Sequence, residues 1–319
     1  EKNLKNFFEI LHVLPFYPSS SDGGFSVTDH KNVNKELGTW HDIRSLSYHA
    51  SIMADLILNH SSIKGKWFNS FIKEKEDYKN FFFTIDDNFD FSKVIRPRDH
   101  KLIQIYNYKK KNNKLWCTFS HDQIDLNFKD PLVFIEFIEI VLLLLSKGVT
   151  TFRLDAVAFI WKKNGTSCVN LPETHEIVKL LRLIVNFINP HALIVTETNL
   201  PRKENLSYFG NNDEANWIYN FPLPPLILYT FLFEDSSKIS GWSKSMPPAQ
   251  INNAYLNFIA SHDGIGMRPV EGILDNIILD KLFKRVKKNG GKFSFRKVES
   301  KSKVYEANIT LFDALKRTD

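Results

Sequence analysis

The stretch Gly148-Val149-Thr150-Thr151-Phe152-Arg153-Leu154-Asp155-Ala156-Val157 joins an apolar helix to a short β-branched run. Lys147 in the last helical turn and the glycine behind it are helix-stop signals. Val, Thr, Thr and Phe then favour a buried strand. Strand side chains alternate between faces, so Arg153 and Asp155, two residues apart, point the same way. Charged groups are seldom buried without partners. A guanidinium and a carboxylate on one side of an apolar strand mean either a core ion pair or a functional site, and the other strand ends decide between them.

Working outward, the same arrangement recurs. Ile10 to Phe16 reads as a strand ending at Pro15, followed by a Pro/Ser/Gly loop that carries Asp22 and Phe25. Trp40 to His49 reads as a helix, and Ser51 to Leu58 as a buried strand that stops at Asn59-His60. Phe128 to Ser146 is helical, with Asp130 as N-cap and Pro131 at the first helical position. Glu173 to Ile188 is an amphipathic helix stopped by Asn189-Pro190. The strand from Ala192 to Asn199 carries Glu197 near its end. Trp217 to Phe221 leads into a helix ending near Phe233, and a strand from Ala254 to Ala260 runs into Ser261-His262-Asp263-Gly264.

Strand, polar terminus, helix, strand is the signature of βαβ units and a parallel sheet. The polar residues always fall at the C-terminal end of the strand. A (β/α)8 TIM barrel gathers those ends on one face, where its active sites lie; a doubly wound sheet would place a glycine-rich phosphate loop after its first strand, and none is present here. The expected fold class is therefore α/β, a (β/α)8 barrel, with 63-127 read as an inserted subdomain. Hairpin turns are expected around Lys111-Asn112-Asn113-Lys114 and at Asn289-Gly290-Gly291.

Composition narrows the function classes. The 319 residues are 43% hydrophobic and 24% charged, as in soluble globular proteins. Net charge is only +6, and its lysine clusters (Lys109-Lys110-Lys111 and Lys287-Lys288) read as solvated hairpin tips; with no binding motif beside them, no nucleic-acid partner is expected. Cys117 and Cys168 are too few and too distant for a metal site or a disulfide framework, which suits a cytoplasmic protein. No apolar run is long enough for a membrane span. The 27 phenylalanines suit a packed interior or a sugar-binding cleft equally well.

Three carboxylates stand at strand ends: Asp155, Glu197 and Asp263. Retaining glycosidases use two carboxyl groups about 5–5.5 Å apart. One attacks the anomeric carbon while ionised; the other delivers a proton to the leaving oxygen and then accepts one from the incoming nucleophile. Arg153 would hold Asp155 ionised, and desolvation would raise the pKa of Glu197. His60 and His262 are donors suited to sugar hydroxyls.

These residues carry a family resemblance. Asp55-Leu-Ile-Leu-Asn59-His60, Phe152-Arg153-Leu154-Asp155-Ala156-Val157, Thr196-Glu197-Thr198-Asn199 and Ser261-His262-Asp263 resemble, in order and spacing, the four signature regions of the alpha-amylase superfamily. The resemblance implies Asp155 as nucleophile, Glu197 as general acid/base and Asp263 as the residue that binds ring hydroxyls and stabilises distortion. It also implies that Arg153, His60 and His262 line a glucose subsite. Within the superfamily the chain is most similar to the sucrose phosphorylase-like group. Asp22-Gly-Gly-Phe25 with Asp29-His30, Gly165-Thr-Ser-Cys168, Phe221-Pro-Leu-Pro-Pro225 and His262-Asp-Gly-Ile-Gly266 look like that group's markers. The likeness implies that Asp22 and Phe25 contact glucose, and that Trp116-Cys-Thr-Phe119 supplies an aromatic platform through Phe119. It further implies that Arg98 of Arg96-Pro97-Arg98 contacts phosphate or the acceptor.

One departure is Asn199, where sucrose phosphorylases proper tend to carry His. A larger one is extent: only barrel strands 2 to 7 find counterparts, so the resemblance implies an incomplete barrel in a fragment, with 1-62 as the first part of the barrel, 63-127 as the inserted subdomain, 128-270 as the second part and 271-319 as a second small insertion. The function implied is a retaining α-glucoside phosphorylase acting on sucrose or a related α-glucoside, with inorganic phosphate as co-substrate and no metal or other cofactor. A hydrolase or transglucosidase with the same machinery and a silent carbohydrate-binding barrel are the alternatives.

Overall fold

The computed structural model describes residues 7–108, 111–298 and 301–316. Contacts divide the chain into two compact units. The first runs to Ile95 and takes in His100–Glu197 and Asp213–Ala215; the second takes Arg96–Asp99, Thr198–Asn212 and the chain from Asn216 onward.

In the first unit, β1 (Ile10–Val13), β2 (Ser51–Ile57), β3 (Val149–Asp155) and β4 (Leu193–Thr196) form a parallel ladder in the order β1-β2-β3-β4. β3 is bonded on both edges and buried along nearly its whole length, as expected of a parallel strand covered on both faces. Register places Arg153 beside Asp55 and Asp155 beside Ile57. The helix Pro131–Ser146 that feeds β3 begins as expected, with the Asp130 side chain accepting from Leu132 N at 3.0 Å. Val133, Phe137, Ile140, Val141 and Leu144 fall on one stripe at helical spacing and are buried. The turn into β3 requires glycine. Gly148 has φ +91°, and a Cβ there would lie 2.3 Å from Ser47 Oγ.

The stretch 63–127 contributes the helix Lys66–Ile72 and an antiparallel hairpin of Ile103–Tyr108 with Lys111–Trp116. It also contributes Gln123–Asp125, which pairs with His60–Ser62. The expected hairpin around Lys111–Lys114 is thus present, with those residues in its second strand; Lys109 and Lys110 lie outside the described residues.

In the second unit, β5 (Trp217–Tyr219) and β6 (Ala254–Leu256) are parallel. The expected strand to Ala260 stops at Leu256 because its ladder with β5 ends at Tyr219. The helix Asn276–Lys288 is followed by the hairpin strands Lys292–Val298 and Lys301–Asn308, and Ile265–Gly266 adds to the second of these. Asn289-Gly290-Gly291 thus ends a helix and is not a hairpin turn. Asn289 is the C-cap, and Gly290 at φ +88° takes the left-handed position that closes helices. Lys287 and Lys288 are solvated, but in the last turn of that helix, where cations complement its dipole. Leu226, Ile265, Leu282, Val286 and Ala307 form the buried core of this unit.

His30 is enclosed by aromatic rings. It stacks on Trp67 (centroids 4.4 Å apart, 15° between planes), and its Nε2 is buried without a hydrogen-bond partner among the described residues. Burial, with His60 nearby, lowers its pKa from the ordinary 6.5 to about 3. Between those values the unfolded chain binds a proton that the folded chain refuses, so stability falls as pH falls across that window, by about 1.4 kcal/mol per pH unit for this one group. Urea midpoints at pH 7 and pH 5 test this: H30N should lose less stability over that interval than the parent, and an equal loss in both would refute the assignment.

Candidate active site

The site begins with four polar residues that apolar strands bring together. Arg153 and Asp155 share one side of β3, as alternation requires. Arg153 Nη1 donates to Asp155 Oδ1 at 2.9 Å and also to Asp55 Oδ1 on β2. The other Asp55 oxygen, Oδ2, lies 2.9 Å from His12 Nε2 on β1. Asp55, Arg153 and Asp155 are all buried. Burial works against ionisation of Asp55, yet Arg153 and His12 hold its carboxyl below the usual range.

Asp155 behaves differently. Burial pushes its carboxyl up to about 8; Arg153 opposes this, while the negative charges of Glu197 and Asp55 add to it. The expectation that Arg153 alone holds Asp155 ionised is therefore too simple, because the single guanidinium is shared with Asp55. Two carboxyls that repel across a buried site retain one proton between them. Glu197 Oε2 accepts from the backbone N–H of Ala156 at 2.9 Å. Ala156 sits at φ +48°, a left-handed conformation that costs a non-glycine residue about 1–3 kcal/mol and recurs at functional sites. It turns the chain immediately after Asp155.

The loop after β1 is fixed by polar contacts. Asp22 accepts from Gln123 Nε2 at 2.7 Å, and the Phe25 ring lies 5.8 Å from the Arg153 guanidinium carbon. Asp122 accepts from Ser20, Ser21, Ser26 and Ser62 at 2.5–3.1 Å. Burial opposes its ionisation, but those bonds hold it below the usual range. His60 is buried, and Nε2 lies 3.2 Å from Phe25 O and 3.0 Å from Gln123 Nε2. Burial depresses its pKa against the pull of Asp125 and Asp22, leaving a neutral imidazole. The Phe119 ring stands 5.4 Å from His60 and 5.5 Å from Phe159.

Seven of the ten expected site residues (Asp22, Phe25, His60, Phe119, Arg153, Asp155 and Glu197) fall in the first unit. Arg98, His262 and Asp263 belong to the second. There, Asp263 is exposed, with His262 Nε2 3.4 Å from its Oδ2 and its carbonyl accepting from Asn308 Nδ2 at 2.9 Å. Arg98 faces Glu306 at 3.5 Å and lies over the Tyr305 ring at 5.4 Å.

Sequence reasoning missed the residues beneath the site: His12, Asp55, Asp122, Gln123 and a second buried ion pair. In that pair Lys162 Nζ lies 2.6 Å from Asp125 Oδ2 and 2.9 Å from Asn59 Oδ1. Its ammonium supplies the positive charge among those oxygens. Asp55 was findable, since a carboxylate inside Ile52-Met53-Ala54-Asp55-Leu56-Ile57 needs a cation, and Arg153 is a cation in another apolar strand. Lys162 and Asp125, 37 residues apart with Lys162 outside any helix or strand, left no such pattern.

Residues 7–264 match the alpha amylase catalytic domain, and the chain belongs to that family. The parallel strands described above fit an incomplete (β/α)8 barrel of that family. The chain is 44% identical over 315 residues to the glucosylglycerate phosphorylase of Allomeiothermus silvanus, covering 98% of this chain and 57% of that protein. To the glucosylglycerate phosphorylase of Escherichia coli it is 39% identical over 319 residues, 99% of this chain and 57% of that one. It therefore spans a little over half the length of these curated relatives. The crystal structure of sucrose 6F-phosphate phosphorylase from Thermoanaerobacter thermosaccharolyticum is similar at TM-score 0.86 and 26% identity, over 97% of this chain and 65% of that one. Among the described residues no helix is long and apolar enough to cross a membrane.

Removing one partner of a buried charge pair costs about 3–5 kcal/mol. Asp55→Ala is expected to lose that much stability in urea unfolding, and more than Asp29→Ala, whose partner Lys66 is exposed. Equal, small losses would show that the buried network adds nothing.

Proposed function

We propose that the protein carrying this chain is a retaining α-glucoside phosphorylase, with α-glucosylglycerate rather than sucrose as its glucosyl donor. The observation that carries this reading is the Asp155–Glu197 pair, with Asp155 buried and Glu197 half-buried, Arg153 bonded to one member and the Ala156 N–H to the other. Asp155, ionised, attacks the anomeric carbon and forms a β-glucosyl-enzyme. Glu197 holds the shared proton and delivers it to the departing oxygen. Phosphate then attacks the same carbon while Glu197 takes up its proton, Asp155 leaves, and α-glucose 1-phosphate is released with net retention. Asp22, Phe25, Phe119, His60 and His262 bind the glucosyl ring, Asp263 steadies its distorted form, and Arg98 receives phosphate.

Phosphorolysis and the choice of donor rest on the relatives. Those printed as glucosylglycerate phosphorylases are 39–44% identical to this chain, whereas a sucrose phosphorylase from Agrobacterium vitis is 29% identical. Asn199, in place of the histidine of sucrose phosphorylases proper, points the same way. No metal or organic cofactor enters the scheme. The division at 63–127 and 271–319 into an inserted subdomain and a second insertion belongs to the same proposal.

Incubating the protein expressed from its complete gene with α-glucosylglycerate tests the reading. Glucose 1-phosphate should form only when phosphate is present; glucose released at the same rate without phosphate would make the enzyme a hydrolase. Asp155→Asn should lower kcat by about 10⁴-fold or more, the scale on which removing a nucleophile acts. The profile of kcat/KM against pH should be bell-shaped, its acid limb marking protonation of both carboxyls and its alkaline limb loss of the shared proton.

A further inference from the structure

Positive charge without partners gathers around one cavity, whose lining lies wholly within the second unit. Arg202, Lys238 and Arg268 line this cavity of about 410 Å³, and none of the three makes an ion pair among the described residues. Arg268 is 7% exposed, and its Nη1 donates to the carbonyl of Asn199 at 3.3 Å. Arg202 donates to Ser245 Oγ at 2.8 Å and to the Ser245 carbonyl. Lys238 is half-buried, with no hydrogen-bond partner among the described residues. The one carboxylate in the wall, Glu271, is already taken: both its oxygens accept from Arg296 Nη2 at 2.8 Å. Burial lowers the pKa of Arg268 from the ordinary guanidinium value; Tyr305, Glu204 and Glu271 oppose that shift without cancelling it, and Arg296 adds to it.

Three like charges around one cavity repel one another, and taking a guanidinium out of water is costly unless an anion accompanies it. Even with Glu271 counted against them, the wall keeps a surplus of two positive charges. A wall of one sign concentrates its field inside the cavity. A phosphate monoester carries about 1.5 to 2 negative charges at pH 7 and so matches that surplus; a carboxylate or a sulfate ester, singly charged, would leave half of it. The planar fork of Arg268 suits phosphate oxygens, which it can grip through two donors at once. Trp242, Pro201, Pro269 and Ile273 give the same wall apolar surface, and the volume is that of a small-molecule site. The matching ligand is therefore a phosphate on an apolar or ring-bearing body.

We infer that this cavity is a binding site for a small phosphate monoester, with Arg268 and Lys238 holding the phosphate and Trp242 flanking the body attached to it. Arg202, anchored on Ser245, adds attraction without leaving its own partners. No bond is made or broken there.

The test uses the protein expressed from its complete gene, with phenyl phosphate as the probe and phenyl sulfate and benzyl alcohol as its singly charged and neutral counterparts. By isothermal titration, phenyl phosphate should bind the parent protein at least about tenfold more tightly than phenyl sulfate, with benzyl alcohol weaker again. R268Q should lose about 10- to 100-fold in affinity for phenyl phosphate, and R268K should recover part of it. K238Q, which breaks no ion pair or hydrogen bond among the described residues, should lose about 3- to 10-fold. Phenyl phosphate should also raise the melting temperature of the parent and not that of R268Q. Equal affinity for all three probes overturns the assignment, as does an R268Q protein of unchanged melting temperature that binds phenyl phosphate as the parent does. If R268Q does not fold, K238Q decides, and unchanged affinity in it is the overturning result. R98Q is measured alongside, because Arg98 is proposed to receive the phosphate of the reaction. Affinity lost in R98Q but kept in R268Q and K238Q would place the probe at Arg98 and reject the cavity. Binding is read without turnover, so the outcome does not depend on whether the protein releases glucose 1-phosphate.

Discussion

The first unit depends on a single guanidinium placed between two buried carboxylates. Arg153 touches Asp55 on the neighbouring strand and Asp155 on its own. Each carboxylate in isolation would be expensive to bury, and so would the arginine. His12 meets Asp55 from the other side, its Nε2 2.9 Å from the second carboxyl oxygen. The arrangement works only because parallel pairing fixes register: a slip of one residue in β3 would turn Arg153 and Asp155 to the opposite face of the sheet. The charge network and the strand register therefore specify each other.

That sharing also explains the electrostatic state of the site. An arginine devoted to Asp155 would keep it ionised under most conditions. Divided between two carboxylates, it leaves burial dominant, and the Asp155 carboxyl rises. Glu197, tethered to the N–H of the very next residue after Asp155, belongs to the same titrating system. A pair poised to hold one proton is what double displacement needs, since one group must attack as a base while the other donates as an acid. The Ala156 turn makes this possible: its left-handed backbone ends the strand at Asp155 and directs the following amide at Glu197.

Much of this was legible because the chemistry sits where periodic patterns stop. Strand ends were marked by a change from apolar runs to Asp, Glu, His or Asn, and four such ends matched one family in order. The helix Pro131–Ser146 was readable from its cap, its proline and its stripe. What escaped was of two kinds. Short contacts made by loop residues, such as Asp122 with four serines or Lys162 with Asp125, join residues far apart with no repeating spacing. Glycine turns were misassigned for a related reason: Asn289-Gly290-Gly291 has the composition of a hairpin, but an amphipathic helix directly before it uses the same residues as a C-cap. Composition specifies that the backbone must turn, and the preceding element decides which turn it becomes.

The two units also differ in how they treat charge. In the first, buried cations meet buried carboxylates: Arg153 with Asp55 and Asp155, Lys162 with Asp125. In the second, Arg296 is matched to Glu271 and Arg98 to Glu306, but Arg268 is matched only to a backbone carbonyl. A carbonyl dipole offsets part of the cost of desolvating a guanidinium and leaves most of its donors unused. Stability alone gives no reason to keep such a residue, since an apolar side chain of similar size would bury at lower cost in that position.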